Sequence, residues 1–377
     1  VICSPDLKIP SSLEKEICLV NVALPDNQEL RGQILAVQQQ YDGEIEPALY
    51  AEIILALKGL TLNEVAHVMH RVFSRGQLSE REILDEIFRE KQMLVKKSGF
   101  LEFVPLRFSL DDVGGLAALK DWIRKREHLF NQDAVDKGLP VPKGILLMGI
   151  SGCGKSMAAK VAAAQWKIPL FRLDMNLIHS GVYGTAEATL HRAFTMIESV
   201  APAVLWIDEI ENGLGMDSDS TSGQSHLFSA FLTWIEEKPP LVFVAATANR
   251  IQSLPAEIIR KGRFDQVFFC DLPRADERAD ILKIHIRHQG GDPAEFDLNT
   301  LVLATEGWGG SELEQAVIAG RIDANEQDRL FTTGDSSRHT RSIVPLSETM
   351  AEQIKSIKDW VWGRATSASD TRKPGRR

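Results

Sequence analysis

Between residues 144 and 273 short apolar runs alternate with amphipathic stretches. The runs at 144–148, 169–173, 203–207, 241–245 and 266–269 are bounded by turn or polar residues. Runs of that length and make-up read as strands buried on both faces. Helical periodicity fills the gaps between the first four. This alternation predicts a parallel sheet with helices on both faces. From Arg274 onward the chain reads as helices, with a turn at residues 307–310. Residues 331–343 are polar and irregular, and 347–364 return to a helical pattern with Trp360 and Trp362 near its end. Residues 365–377 are small, polar and basic and read as a disordered tail.

The first hundred residues echo a later part of the chain. Leu24-Pro25, Glu29, Ile34, Gly59-Leu60 and Glu64-Val65 match Leu272-Pro273, Glu277, Leu282, Gly307-Trp308 and Glu312-Leu313 at one offset of 248. Upstream, Ile9-Pro10 and the apolar stretch 17–22 match Leu254-Pro255 and 267–270, with three more residues in the later copy. The extra residues fall around Arg260–Arg263. Residues 1 to about 97 therefore read as the rear half of a degenerate second module, with a final strand and a helical lid but no arginine-bearing turn. Chance similarity between amphipathic segments is the alternative. The first residue is Val1 and a half-module opens the chain, so a preceding piece of about a hundred residues is expected.

Composition narrows the class. A chain of 377 residues has room for two or three domains of about 100–200 residues each. With 44% hydrophobic and 25% charged residues it is neither disordered nor unusual. Cys3, Cys18, Cys153 and Cys270 show no paired metal-ligand spacing and too few thiols for a disulfide scaffold. A reducing compartment follows, most simply the cytosol. No apolar run approaches the roughly 20 residues of a membrane span, and the start is unlike a signal peptide. The net charge of −9 argues against a dedicated nucleic-acid binder.

The chemistry concentrates in four places. Gly149-Ile150-Ser151-Gly152-Cys153-Gly154-Lys155-Ser156 fits G-x-x-x-x-G-K-[ST], follows an apolar strand and opens a helix at Met157. Its glycines let backbone N–H groups wrap phosphates, and the helix N-terminus adds a favourable dipole. Lys155 would neutralise β and γ oxygens, and the Ser156 hydroxyl would ligate Mg²⁺. The run 204–207 ends in Asp208-Glu209. Asp208 can hold the Mg²⁺ hydration shell, and Glu209 can orient an attacking water. Asn249, ending the next strand, can bind that water or the γ-phosphate, though alone it would read as a turn residue. Arg260 and Arg263 flank Gly262, and such guanidinium forks suit a phosphate presented by a neighbour. Without the other motifs they would be a basic surface turn.

These residues resemble the AAA family of ATPases. The resemblance rests on Asp111-Asp112-Val113-Gly114-Gly115-Leu116, the phosphate loop, Leu205-Trp206-Ile207-Asp208-Glu209, Asn249, the 260–265 turn and Gly309-Gly310-Ser311-Glu312-Leu313. It covers residues 107 to about 325. It implies an α/β nucleotide-binding core, an all-helical lid and a ring of identical subunits, usually six. ATP would sit between subunits, with Arg260 and Arg263 reaching into the neighbour's site. Asp112, Val113 and Gly114 match the adenine pocket, and Gly310 the lid contact. The implied division is 1–106 (degenerate AAA-like region), 107–274 (ATPase core), 275–364 (lid) and 365–377 (tail). A narrower likeness, over nearly the whole chain, is to the plastid and cyanobacterial Ycf-type AAA proteins and their bacterial relatives. It implies the cytoplasm, or the plastid stroma in an algal source.

Some positions depart from the family pattern. The central loop that threads protein in AAA rings reads Gly181-Val182-Tyr183-Gly184, with aromatic and apolar positions exchanged. Tyr183 would either grip a chain or pack in a subunit contact. The polar stretch 211–224 reads as a flexible loop toward the ring axis. Cys153, beside Lys155 and a helix N-terminus, would be a redox switch if its pKa is lowered; otherwise it is a small residue tolerated there. The reading that follows is a Mg²⁺-dependent ATPase that remodels or regulates a protein partner. A nucleotide-gated scaffold is the second reading. A nucleic-acid motor is the third, disfavoured by the acidic charge.

Overall fold

The computed structural model describes residues 24–41, 45–76, 79–96, 99–106, 108–213, 223–260, 262–341 and 343–369. Its sheet has seven strands: β1 (Leu101–Val104), β2 (Gly144–Gly149), β3 (Leu170–Leu173), β4 (Ala203–Ile207), β5 (Val242–Ala248), β6 (Gln266–Cys270) and β7 (Thr366–Ser367). They lie in the order β1-β3-β4-β5-β2-β6-β7. The five inner strands, each at an apolar run of the sequence, pair in parallel. β1 adds antiparallel to β3, and β7 adds parallel to β6. Every residue of β2, β4 and β5 is buried, as expected of parallel strands covered on both faces. Alternate side chains serve the two faces. Leu146 and Met148 join one apolar cluster with Phe171, Leu205 and Phe231. Ile145 and Leu147 join the other with Trp122, Trp166 and Phe243.

The core helices are α5 (Ala117–Arg126), α6 (Gln132–Asp136), α7 (Lys155–Gln165), α8 (Met175–His179), α9 (Ala186–Ser199), α10 (Ile210–Gly213) and α11 (Gly223–Glu237). Before them come α1 (Asn27–Gln38), α2 (Tyr50–Leu57), α3 (Leu62–Ser74) and α4 (Glu80–Lys96). After them come α12 (Ala275–His288), α13 (Leu298–Ala304), α14 (Gly310–Glu326), α15 (Thr333–Thr340), α16 (Leu346–Thr349) and α17 (Ala351–Val361).

The two outer helical groups share a register. The first three helices of the N-terminal group start at Asn27, Tyr50 and Leu62, and those of the C-terminal group at Ala275, Leu298 and Gly310. Each start lies 248 residues after its counterpart. The N-terminal caps repeat as well. Glu29 Oε2 accepts from Asp26 N at 2.9 Å, and Glu277 Oε2 from Arg274 N at 3.0 Å. Glu64 Oε2 accepts from Thr61 N at 2.8 Å, and Glu312 Oε2 from Gly309 N at 2.6 Å. Gly59 and Gly307 hold left-handed φ angles of 85° and 77°. Ile34, Ile53, Leu60, Val65, Val68 and Met69 are buried, and so are Leu282, Leu301, Trp308, Leu313, Ala316 and Val317 at the matching positions. The stretch 17–22, read from sequence as the strand before this group, lies outside the described residues.

The structure corrects two readings of the chain's end. Residues 331–343 contain the helix α15. Its sequence is too polar to show a periodic face. It is anchored instead by Arg329, whose guanidinium meets Asp335 at 2.6 and 2.5 Å. That hydrogen-bonded pair holds the Asp335 carboxyl well below the usual carboxylate range. Residues 365–369 are not a disordered tail either. They carry β7, and Ala368 is fully buried. Residues 370–377 lie outside the described part.

Candidate functional site

The loop from β2 to α7 turns on Gly152 and Gly154, with φ of 75° and 83°, a conformation glycine adopts without steric cost. A side chain at residue 152 would collide with Ser311 Oγ of α14. Lys155 opens α7 and is buried. Its Nζ donates to Gly149 O at 3.0 Å and Ile150 O at 2.7 Å. Burial pushes this ammonium below the ordinary lysine value. A buried cation held only by carbonyls is stabilised by an anion brought close to it.

Across from it stand the carboxylates at the end of β4. Asp208 Oδ1 accepts from Ser156 Oγ at 3.2 Å and from Thr247 Oγ1 at 2.5 Å. Thr247 Oγ1 in turn accepts from Glu209 N at 3.0 Å. Glu209 sits in the left-handed region at φ 48°, a strained position for a non-glycine residue. Its two oxygens accept from two amides: Asn249 Nδ2 at 2.6 Å and Asn212 Nδ2 at 2.7 Å. Arg250 donates to Asn212 Oδ1. Buried Glu211 fastens the same corner, accepting from Asn249 N at 2.8 Å and Arg250 N at 2.9 Å. No motif in the sequence marks Thr247 or Asn212 as a functional residue. Thr247 stands in the quoted 247–249 stretch, but nothing there shows that its hydroxyl faces Asp208. Asn212 follows a glutamate in a polar run, and only the turn of α10 brings it back to Glu209.

These groups face one cavity of about 350 Å³. Asp112, Val113 and Gly114 form one wall; residues 151–157, with Cys153 and Met157 among them, form the floor. Asp208, Glu209 and Asn249 lie on one side, and Ile281, His285 and Gly310 of the C-terminal helices on another. Gly149 and Ile150 are not in the lining; their carbonyls hold Lys155. The donor set fits a polyphosphate with a hard divalent cation. It offers backbone N–H groups and one ammonium for the phosphates, and a hydroxyl beside a carboxylate for the ion. No group of three or more His, Cys, Asp or Glu that could hold a metal occurs among the described residues.

A family model, "ATPase family associated with various cellular activities (AAA)", matches residues 145–272. Nearly the whole chain aligns with proteins named "Uncharacterized AAA domain-containing protein ycf46". With that of Pyropia yezoensis it is 36% identical, over 98% of this chain and 76% of the relative. With that of Guillardia theta it is also 36% identical, over 96% and 72%. The chain belongs to the AAA family. An "ATP-dependent zinc metalloprotease FtsH 2" of Salinibacter ruber aligns at 30% identity, over 56% of this chain and 33% of its own. The crystal structure of the FIGL-1 AAA domain in complex with ADP superposes with a TM-score of 0.57. That match is 22% identical and covers 72% of this chain and 97% of the other, so it speaks for the fold alone.

Outside the cavity, the two arginines of this AAA chain differ. Arg263 is tied down by Glu236 at 2.7 Å and by Glu257 O, and its side chain is 15% exposed. Arg260 is 70% exposed and 3.6 Å from Glu257. In the central loop, Tyr183 is half-buried, edge-on to Phe100 at 5.7 Å. Val182 beside it is 74% exposed. The exposed apolar group of the loop is therefore the valine. The redox reading of Cys153 is not supported: burial pushes its thiol up to about 12, and that of Cys270 likewise. A thiol held neutral reacts poorly. Of the polar stretch 211–224, residues 211–213 belong to α10, 223 and 224 to α11, and 214–222 lie outside the described residues. No described helix is long and apolar enough to cross a membrane.

Proposed function

We propose that this AAA family ATPase hydrolyses ATP with Mg²⁺ and couples turnover to remodelling or regulating a protein partner, as a ring of identical subunits. The observation that carries the chemistry is one connected set facing one cavity: Lys155 opposite Ser156–Asp208–Thr247–Glu209–Asn249. Residues 151–157 cradle the phosphates, and Lys155 neutralises them. Ser156 and Asp208 would hold Mg²⁺, which when bound offsets charge on the phosphate oxygens. Glu209 orients water and draws its proton, and Asn249 fixes Glu209 and the γ-phosphate side. Asp112, Val113, Gly114, Ile281 and Gly310 hold the nucleoside. Arg260, exposed and weakly paired, reaches the next subunit's site; Arg263 braces the turn that presents it. Residues 27–96 form a second, degenerate lid of the AAA type. The reducing cytoplasm, or the plastid stroma in an algal source, is the setting.

The test is the ATPase rate per subunit against protein concentration, for wild type, Arg260→Ala and Glu209→Gln. A rate that rises with concentration and falls at least a hundredfold in both variants supports a shared site. A rate independent of concentration and of Arg260 rejects the ring-shared site, and a normal rate in Glu209→Gln rejects the role of Glu209.

One observation favours the second reading, a nucleotide-gated scaffold with slow turnover. Both Glu209 oxygens are engaged by amides, so a water must compete with an amide for either oxygen. On that reading Asn212→Ala raises kcat severalfold at unchanged KM. An unchanged kcat rejects it.

A further inference from the structure

Residues 365–369 show no pattern in the sequence, yet their backbone is fastened to two elements, β6 and α5. Thr366 and Ser367 pair with Phe268 and Phe269. Ala368 N donates to Phe269 O at 2.9 Å, and Ala368 O accepts from Leu119 N at 3.0 Å. Gln266 Nε2 donates to Thr366 Oγ1 at 2.6 Å. Ala368 is fully buried within the cluster that holds Leu116, Leu119 and Phe268. The segment thus ties β6 to the first turn of α5. β6 runs on into Asp271 and Pro273, which line the cavity; the turn before α5 is the 112–116 wall. The residue after the tie, Ser369, lines the cavity itself.

We infer that residues 366–369 are a binding element of the nucleotide site. β7 sets the spacing between the 112–116 wall and the β6 wall, and Ser369 meets the ribose–base part of a nucleoside di- or triphosphate. The phosphates are excluded as its partner because residues 151–157 already supply their donors. A segment bonded to β6 through the strand and to α5 through the buried Ala368 is a firm support, which is what a binding wall requires. The inference rests on the proposed nucleotide-binding role of the cavity.

The test is calorimetric titration of the full chain with ADP and, separately, with tripolyphosphate, which carries no nucleoside. Ser369→Trp fills the wall. The expected result is at least a tenfold loss of ADP affinity, with tripolyphosphate binding within twofold of wild type and an unchanged melting temperature. Ser369→Ala, which removes one hydroxyl, is expected to weaken ADP two- to threefold and keeps the inference testable if the tryptophan disturbs folding. ADP binding unchanged in both variants, or an equal loss of ADP and tripolyphosphate, overturns the inference alone. Wild type that binds neither probe, like Lys155→Ala, overturns the nucleotide reading beneath it.

Discussion

The two outer helical groups share helix starts, caps and buried positions, yet only the later one reaches the cavity. The difference lies in a few contact positions. Where α14 has Gly310 and Ser311, α3 has Leu62 and Asn63; where α12 has Ile281 and His285, α1 has Gln33 and Val37. Gly310 lets the backbone of α14 come close to the phosphate loop: Ser311 N donates to Gly152 O at 3.1 Å. A Cβ at residue 310 would stand 3.1 Å from that same oxygen, so a leucine there would hold the helix away. The N-terminal group sits elsewhere, on the end of α9, where Lys91 Nζ donates to Val200 O at 2.9 Å. One helical arrangement thus borders the cavity in the later group and braces the end of α9 in the earlier one. The role is set by the residues on the contacting edge.

The contrast breaks first, and by the widest margin, at a matched pair. Ile281→Asp puts a carboxylate in the apolar part of the cavity, where the proposed function seats the nucleoside of an anionic nucleotide. Desolvation and like-charge repulsion should cost about 3 kcal/mol or more, at least a hundredfold in ADP affinity. Gln33→Asp, at the matching position of α1, should leave ADP affinity within twofold. Equal losses in calorimetric titrations would show that both groups act on the nucleotide.

The two left-handed glycines sharpen it next. A Cβ at Gly59 would meet the backbone oxygen of Ser199 at 2.2 Å, whereas at Gly307 it meets the side-chain oxygen of Ser347 at 2.6 Å. Backbone cannot step aside and a serine rotamer can. Gly59→Ala should destabilise by about 2–3 kcal/mol and Gly307→Ala by about 1–2. Ser347→Ala should relieve part of the second loss and none of the first. Urea melts of the four variants measure this, and a larger loss at Gly307 would contradict it.

The five inner strands and the phosphate loop were legible because each is dictated locally, by an apolar run or by glycines at fixed spacing. The offset of 248 was legible because caps and core positions repeat together. What escaped depends on contacts distant in sequence. β1 and β7 are edge strands of four and two residues, and their pairing is decided by β3 and β6. α15 is polar and depends on Arg329. Cys153 sits beside a lysine, which in sequence argues for an acidic thiol, but its burial wins. Arg260 and Arg263 look alike in the chain and are told apart by Glu236 and the Glu257 carbonyl, which hold Arg263. The hold of Asn212 on Glu209 needs the turn of α10, which no motif specifies.

A smaller effect is expected where the N-terminal group hands over to the core. Between α4 and β1, Gly99 leaves room for Tyr183: a Cβ there would lie 2.2 Å from its hydroxyl. Tyr183→Ala should cost about 2 kcal/mol through loss of the half-buried ring against Phe100. Tyr183→Phe should cost less than about 0.5 kcal/mol. Neither should move ADP affinity beyond twofold, because the tyrosine packs where the N-terminal group joins the core and does not line the cavity. A shift in ADP affinity with Tyr183→Ala would join the two regions that the contrast separates.

The smallest effect comes from Lys91, the buried contact of the brace. Burial brings its ammonium from an ordinary 10.5 down to about 7. Above that pH the folded chain holds this lysine neutral while the unfolded chain holds it charged. Unfolding therefore takes up a proton, and stability rises with pH between about 7 and 10; below 7 both states are protonated and the slope vanishes. Between pH 7.5 and 8.5 the gain is about 1 kcal/mol for one such group. Lys238, also buried and also brought to about 7, adds a slope of the same sign within the core. Lys91→Met removes the charge and keeps most of the volume, so it should halve the slope, and the double variant with Lys238→Met should flatten it. Melting curves at half-unit steps of pH separate these cases. A full slope surviving in Lys91→Met would mean that the brace seats its lysine in water, and that its hold on the end of α9 is looser than the bond to Val200 indicates.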